Sequence, residues 1–120
     1  MITPEVADEF GEALPSWINI QPATKFNIKS LEKYRLGKGE ITSLALALDL
    51  KDSIVILDDE KAKKIARQLQ LTVTGSLGVI VKAKQENLVP SVKDILSRVK
   101  ATNFYMPSYI EETILKLANE

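Results

Sequence analysis

An apolar helix that leads directly into an apolar strand is the feature that most constrains the fold of this chain. The stretch Glu40–Leu50 has Leu or Ala at every position from 44 to 48, so a helix formed there is apolar nearly all round and deeply buried. After a short connection, Ser53–Leu57 is a β-branched apolar run, typical of a strand covered on both faces. Asp58 and Asp59 follow the run. The unit predicts an α/β fold with carboxylates at the rim of the sheet, where ligands and metals bind in such folds.

The rest of the chain continues the alternation of helices and strands. Gly39 is the expected cap of the helix that starts at Glu40, and Asp59 is the expected N-cap of the following helix. A capping box is predicted at Ser108 and Glu111. The other predicted elements are a short helix from Pro4 that ends before Gly11, strands at Trp17–Ile20 and Leu71–Thr74, and helices at 77–86, from 89 and from 108. Alternation of this kind predicts a largely parallel sheet, and 120 residues suffice for a single domain over residues 1–120.

The composition removes several classes of function. The chain has no Cys and no His, which excludes disulfides, a typical zinc site, a thiol nucleophile and a Ser-His triad. Its net charge of zero does not indicate a strongly basic nucleic-acid binder, although a local basic patch remains compatible with it. No apolar run approaches the roughly 20 residues of a membrane span, and the first residues are unlike a signal peptide, so we expect a cytoplasmic protein without membrane association. Carboxylates, hydroxyls and amines remain, and they favour Mg²⁺ or Mn²⁺ as a cofactor.

Three acids stand out, each with a structural and a functional interpretation. Glu40 fits the first turn of a helix, where the helix dipole favours an acid. Asp59 fits an N-cap, whereas Asp58 has no evident structural need to be acidic. Carboxylates brought close together repel one another unless a cation lies between them, so a grouping of these acids would bind Mg²⁺ or Mn²⁺.

A basic helix follows these acids. Lys61–Arg67 contains four cationic side chains, which are typical of a solvated helix face. The functional interpretation is contact with phosphates beside the acidic site. Lys64 is the favoured contact because it lies one turn beyond Asp58 and Asp59.

The order of these motifs resembles a branch of the PIN-domain proteins that is often described only as predicted nucleic-acid-binding proteins. The resemblance runs from Gly39 through the Ala/Leu-rich helix, Ile54–Asp59 and Leu71–Val79 to the end, and more loosely from residue 1. It implies a three-layer α/β/α domain around a mostly parallel sheet. It also implies a Mg²⁺- or Mn²⁺-dependent ribonuclease of the kind found as the toxin in toxin–antitoxin pairs.

The resemblance also implies roles for individual residues. Glu40 matches the acid that opens the central helix of the family, and Asp58 matches the acid that ends the next strand, with Asp59 as a substitute. Glu9 matches another acid on a proline-led helix. Lys64 and Arg67 are then expected to contact nucleic acid. The implied partners are RNA, an antitoxin-like protein and a second copy of the chain.

Two positions depart from the family pattern. The family begins with a strand that runs into Asp-Thr or Asp-Ser, and Met1 lies beyond that point; Ser43 stands where many relatives carry an acid. We therefore expect an N-terminally incomplete PIN-like domain with weakened metal affinity. We also expect this domain to associate with itself through its uncovered apolar surface.

Two other functions are compatible with the pattern. The first is a non-catalytic interaction or nucleic-acid-binding protein on the same scaffold. The second is a receiver-like domain in which Asp58 accepts a phosphoryl group, although the earlier acid pair of that fold is absent.

Overall fold

The computed structural model describes all of residues 1–120, which form two compact units, Met1–Thr74 and Gly75–Glu120. The predicted single domain over residues 1–120 stays a prediction. None of the helices has both the length and the apolar character that crossing a membrane requires. The helices are α1 (Pro4–Phe10), α2 (Lys25–Leu31), α3 (Lys38–Leu50), α4 (Glu60–Gln68), α5 (Ser76–Gln85), α6 (Val92–Lys100) and α7 (Ser108–Leu117), with a 3₁₀ turn at Glu32–Tyr34, and the strands are β1 (Ile54–Ile56) and β2 (Thr72–Thr74).

Helix α3 is the centre of the first unit, as its composition predicts. Leu44 and Ala45 are completely buried, and they pack in a core shared with the neighbouring helices and with β1. The helix begins at Lys38, two residues earlier than expected. Gly37 is its N-cap, with φ −62° and ψ 161°, so Gly39 lies within the first turn and the prediction that Gly39 is the cap is wrong. Gly37 has no side chain with which to bond the free N–H groups of that turn.

The two strands pair in parallel, with Val55 opposite Val73, which confirms an α/β fold with parallel pairing. The prediction that β1 is covered on both faces is wrong. Val55 is 7% exposed, whereas Ile54 and Ile56 are 65% and 55% exposed. The β-branched run thus correctly predicts a strand, but only the face of β1 that points to α3 is buried. β1 pairs with a strand along one edge only, and an unpaired edge can pair with another chain. The expected self-association stays a prediction.

The strand predicted at Trp17–Ile20 is absent, and that prediction is also wrong. Ile20 makes only an isolated parallel bridge with Ile2. The Ile2 N–H donates to the Asn19 carbonyl at 2.8 Å, and the Ile2 carbonyl accepts from the N–H of Gln21 at 2.9 Å. Prolines at positions 15 and 22 flank this stretch, and a proline cannot donate a hydrogen bond to a strand ladder.

The second unit consists of α5, α6 and α7 around a small core. Val92 and Leu96 of α6 are completely buried in it. The capping box at Ser108 and Glu111 does not form, because Pro107 is the N-cap of α7 and no side chain caps that helix. Glu111 instead forms a salt bridge with Lys100 at 2.9 Å.

Glu120 fastens the end of the chain to the start of α6. Its carboxylate accepts hydrogen bonds from the Val92 N–H at 2.6 Å, the Lys93 N–H at 3.3 Å and the Ser91 hydroxyl at 3.0 Å. Lys84 Nζ lies 3.4 Å from it. These contacts, the bond from Val92 above all, lower the pKa of Glu120 from 4.5 to about 2.

We expect Glu120→Gln to lower the melting temperature of the protein at pH 7. Because the pKa of Glu120 is lower in the folded than in the unfolded state, its contribution is complete above pH 4.5 and is lost as the pH falls towards about 2. The difference in melting temperature between wild type and variant should therefore shrink as the pH is lowered from 7 to 3. Glu112→Gln, at an exposed acid of the same helix region, is the control and should change little at any pH. A difference for Glu120→Gln that is equally large at pH 7 and pH 3 would contradict the assignment.

Candidate functional site

A groove of about 530 Å³ lies within the first unit, between the N-terminal residues, α3 and the strand β1. Its floor is apolar and comes from Leu46, Ala47 and Leu50 of α3. One wall is β1 with its exposed Ile54 and Ile56. Carboxylates are the only charged side chains in the lining. The complete lining consists of Met1, Ile2, Thr3, Val6, Glu9, Gly39, Glu40, Ser43, Leu46, Ala47, Leu50 and Ser53–Asp59.

All of the acids selected from the sequence line this groove. Glu9 comes from the last turn of α1, Glu40 from the first turn of α3, and Asp58 and Asp59 from the residues that follow β1. No Lys or Arg side chain is part of the lining. Four carboxylates that line one groove make a negative potential that attracts cations.

The first turn of α3 holds two of these carboxylates against its backbone. Glu40 Oε2 lies 2.6 Å from the point that a Cβ on Gly37 would occupy, and Glu9 Oε1 lies 2.8 Å from the corresponding point on Gly39. The N-terminus of a helix carries partial positive charge, which stabilises acids placed there. The two glycines are site residues that the sequence interpretation missed. The signal available in the sequence is the order Gly37-Lys38-Gly39 directly before Glu40.

A buried hydrogen bond fixes α1, and with it Glu9, against α3. The hydroxyls of Thr3 and Thr42 are 2.8 Å apart, and the two residues are 0% and 4% exposed. The Thr42 hydroxyl also lies 2.8 Å from the Lys38 carbonyl, which can accept its proton. Thr3 also caps α1 by accepting from the Val6 N–H at 3.3 Å.

Asp58 and Asp59 differ in their structural roles at the start of α4. Asp59 Oδ2 accepts the N–H of Ala62 at 2.9 Å, which confirms Asp59 as the N-cap of α4. Asp58 is exposed and is not the cap of this helix. Both acids line the groove.

The basic residues lie on the neighbouring helix α4. Lys64 and Arg67 are exposed and are not part of the groove lining. Lys63 is held by a salt bridge to Glu60 at 3.4 Å. The opposite side of α4, with Ala62 and Ile65, is buried.

The carboxylates of the groove suit Mg²⁺ or Mn²⁺ in their chemistry. No group of three or more acidic side chains lies close enough together to hold a metal ion. Mg²⁺ in proteins is commonly held by one or two carboxylates together with water and substrate phosphates, so a fully formed protein cage is not required. The metal-ligand roles of Glu40, Asp58 and Asp59 and the catalytic role of Glu9 stay predictions.

Asp49, a carboxylate of the first unit that accepts several hydrogen bonds, lies outside the groove. Asp49 accepts hydrogen bonds from the N–H and hydroxyl of Thr24 at 2.7 and 2.9 Å and from the Asn27 amide at 2.5 Å. Burial alone would raise the pKa of Asp49, but these hydrogen bonds outweigh it and lower the pKa. The hydrogen bonds that join α2 to α3 explain the lowered pKa of Asp49, which therefore indicates no further chemistry.

Comparison with known proteins gives one match. A protein-family model described as a PIN domain matches residues 1–120. No curated protein and no solved structure matched the chain.

We expect Thr42→Val to lower the free energy of unfolding by about 1–3 kcal/mol, because it removes the hydroxyl to which the buried Thr3 hydroxyl is hydrogen-bonded. The change is measured by denaturant unfolding at pH 7. Thr113→Val is the matched control, since the Thr113 hydroxyl makes the same bond to the carbonyl four residues earlier, at 2.8 Å, on an exposed surface. The control should stay within about 0.5 kcal/mol of wild type. Equal effects of the two substitutions would show that the Thr3–Thr42 bond contributes nothing.

Proposed function

Since the chain belongs to the PIN-domain family, we propose that it is a Mg²⁺- or Mn²⁺-dependent ribonuclease that hydrolyses phosphodiester bonds of RNA. PIN-domain proteins are generally nucleases. The observation that carries the proposal is that Glu9, Glu40 and Asp58, which come from three different elements, line one groove. A groove lined by carboxylates repels an RNA phosphate, so a nuclease with this lining requires a cation.

Each acid has a role in this proposal. Glu40 and Asp58 would hold the divalent cation, and Glu9 would be a third ligand or orient the attacking water. A divalent cation bound there supplies a water of lowered pKa and offsets the charge that develops on the phosphate.

The exposed cationic side chains of α4 suit contact with the RNA backbone. Asp58 and Asp59 directly precede α4, and Lys64 and Arg67 follow within two turns on its exposed surface. Contacts of Lys and Arg with phosphates supply affinity that falls as salt is added. We assign Lys64 and Arg67 to this role, which leaves the groove for the scissile phosphate.

A second candidate function is supported by the absence of a cluster of three acids. The same scaffold would then bind RNA or a protein without cleaving it. An antitoxin-like partner and self-association, both implied by the resemblance to toxin-type proteins, stay predictions under either function.

The proposal is tested by Mn²⁺ titration and by cleavage of a labelled single-stranded RNA. We expect Glu40→Gln and Asp58→Asn each to weaken Mn²⁺ binding by about tenfold or more and to abolish Mn²⁺-dependent cleavage. Asp52→Asn is the matched control, because Asp52 is an exposed acid that precedes β1 and does not line the groove. It should bind Mn²⁺ and cleave RNA as wild type does.

The outcomes separate the two candidate functions. Mn²⁺ binding and RNA binding without cleavage support the non-catalytic alternative. No Mn²⁺ binding by wild type contradicts the metal-dependent proposal. Lys64→Gln adds an independent comparison: it should leave Mn²⁺ affinity unchanged, weaken RNA binding, and reduce the slope of log affinity against log salt by about 1.

A further inference from the structure

Neither glycine at the start of α3 has a positive φ that would require glycine. Gly37 has φ −62°, which any residue adopts, and Gly39 lies within the helix. Glycine inside a helix is less favourable than alanine by roughly 0.5–1 kcal/mol. Gly37 also suits its N-cap position, where glycine is preferred to alanine, whereas the absence of a side chain at Gly39 needs a cause other than backbone conformation.

The space beside each glycine is filled by one carboxylate. The three heavy atoms closest to a Cβ on Gly39 all belong to Glu9: Oε1 at 2.8 Å, Oε2 at 3.0 Å and Cδ at 3.1 Å. A Cβ on Gly37 would lie 2.6 Å from Glu40 Oε2 and 3.6 Å from Glu40 Cδ. A real Cβ does not approach an oxygen so closely, so an alanine at either position displaces the carboxylate rather than the backbone.

We propose that Gly37 and Gly39 are positioning residues, whose missing side chains leave the space in which the carboxylates of Glu40 and Glu9 lie against the first turn of α3. The inference rests on the proposed function, because it assigns these carboxylate positions to cation binding. The first turn of α3 contributes N–H groups and the positive end of the helix dipole on the same side. Both acids are thereby held facing one groove before any cation arrives.

Gly39→Ala is expected to have effects of opposite sign on stability and on metal binding. Gly39→Ala favours the helix, and Glu9 is exposed, so its carboxylate moves aside at little cost. The melting temperature without metal should therefore stay equal or rise. Mn²⁺ affinity should fall in the same variant, because Glu9 no longer lies where it faces the groove. A glycine needed only for packing would instead give a lower melting temperature when replaced.

A double-mutant cycle tests the inference. Mn²⁺ affinity is measured by calorimetry for wild type, Gly39→Ala, Glu9→Ala and the double variant, and the melting temperature of each is measured in EDTA. We expect Gly39→Ala to weaken Mn²⁺ binding at least about threefold in wild type and to have no effect in the Glu9→Ala background, because there is no carboxylate left to displace. A second cycle with Gly37→Ala and Glu40→Ala should show the same pattern in Mn²⁺ affinity, although Gly37→Ala should lower the melting temperature because alanine is a poorer N-cap than glycine.

The outcomes distinguish failure of the proposed function from failure of the positioning role of the glycines. Failure of wild type to bind Mn²⁺ overturns the proposed function and, with it, the role of the glycines. Binding by wild type that is unchanged in Gly39→Ala and Gly37→Ala overturns the positioning role alone. Equal weakening by Gly39→Ala with and without the Glu9 side chain also overturns it, because the alanine would then act by another route.

Discussion

The hydrogen bond between the buried hydroxyls of Thr3 and Thr42 is the contact on which the candidate site depends. It joins α1 to α3 at a point where neither hydroxyl reaches solvent, so its loss is not compensated by water. Glu9 lies on α1 and Glu40 on α3. Any movement of α1 along α3 would separate the carboxylate of Glu9 from the first turn that it contacts. A polar bond in an otherwise apolar region thus sets the relative position of two acids.

Helix α3 connects this contact with the opposite wall of the groove. Its buried side packs on β1 through the core that contains Leu44 and Val55, and β1 leads directly to Asp58. The helix therefore has three functions in the structure: its apolar side forms the core, its first turn faces the acids, and its remaining surface is the groove floor. Its apolar character on nearly every side follows from these simultaneous contacts.

The sequence predicts the parts of this structure that depend on local chemistry. The burial of α3, the cap at Asp59 and the parallel strand pair follow from residue pattern, and all of them are confirmed. The errors arise where a distant contact competes with a local preference. Glu111 pairs with Lys100 instead of closing a capping box, and the β-branched residues of β1 are covered on one side only.

The gathering of the acids in one groove was predictable only through the family resemblance, because acids so far apart in sequence are brought together by tertiary packing. The contact of Glu9 with Gly39 belongs to the same class, as do the bonds from Glu120 to the start of α6. No local pattern specifies which backbone a flexible carboxylate meets. The glycines before Glu40 are visible in the sequence, but their role becomes evident only when the neighbouring side chain is in view.

The central claim, that one cation-binding groove unites Glu9, Glu40 and Asp58, is tested most directly by adding sub-stoichiometric Mn²⁺ to ¹⁵N-labelled protein and recording amide spectra. Paramagnetic Mn²⁺ broadens the signals of nuclei near the place where it binds. The structure predicts that the amides of Glu9, Gly39, Glu40 and Asp58 broaden first and together. Broadening centred elsewhere, for example on Asp49 or Glu120, or no localised broadening at all, would contradict the account.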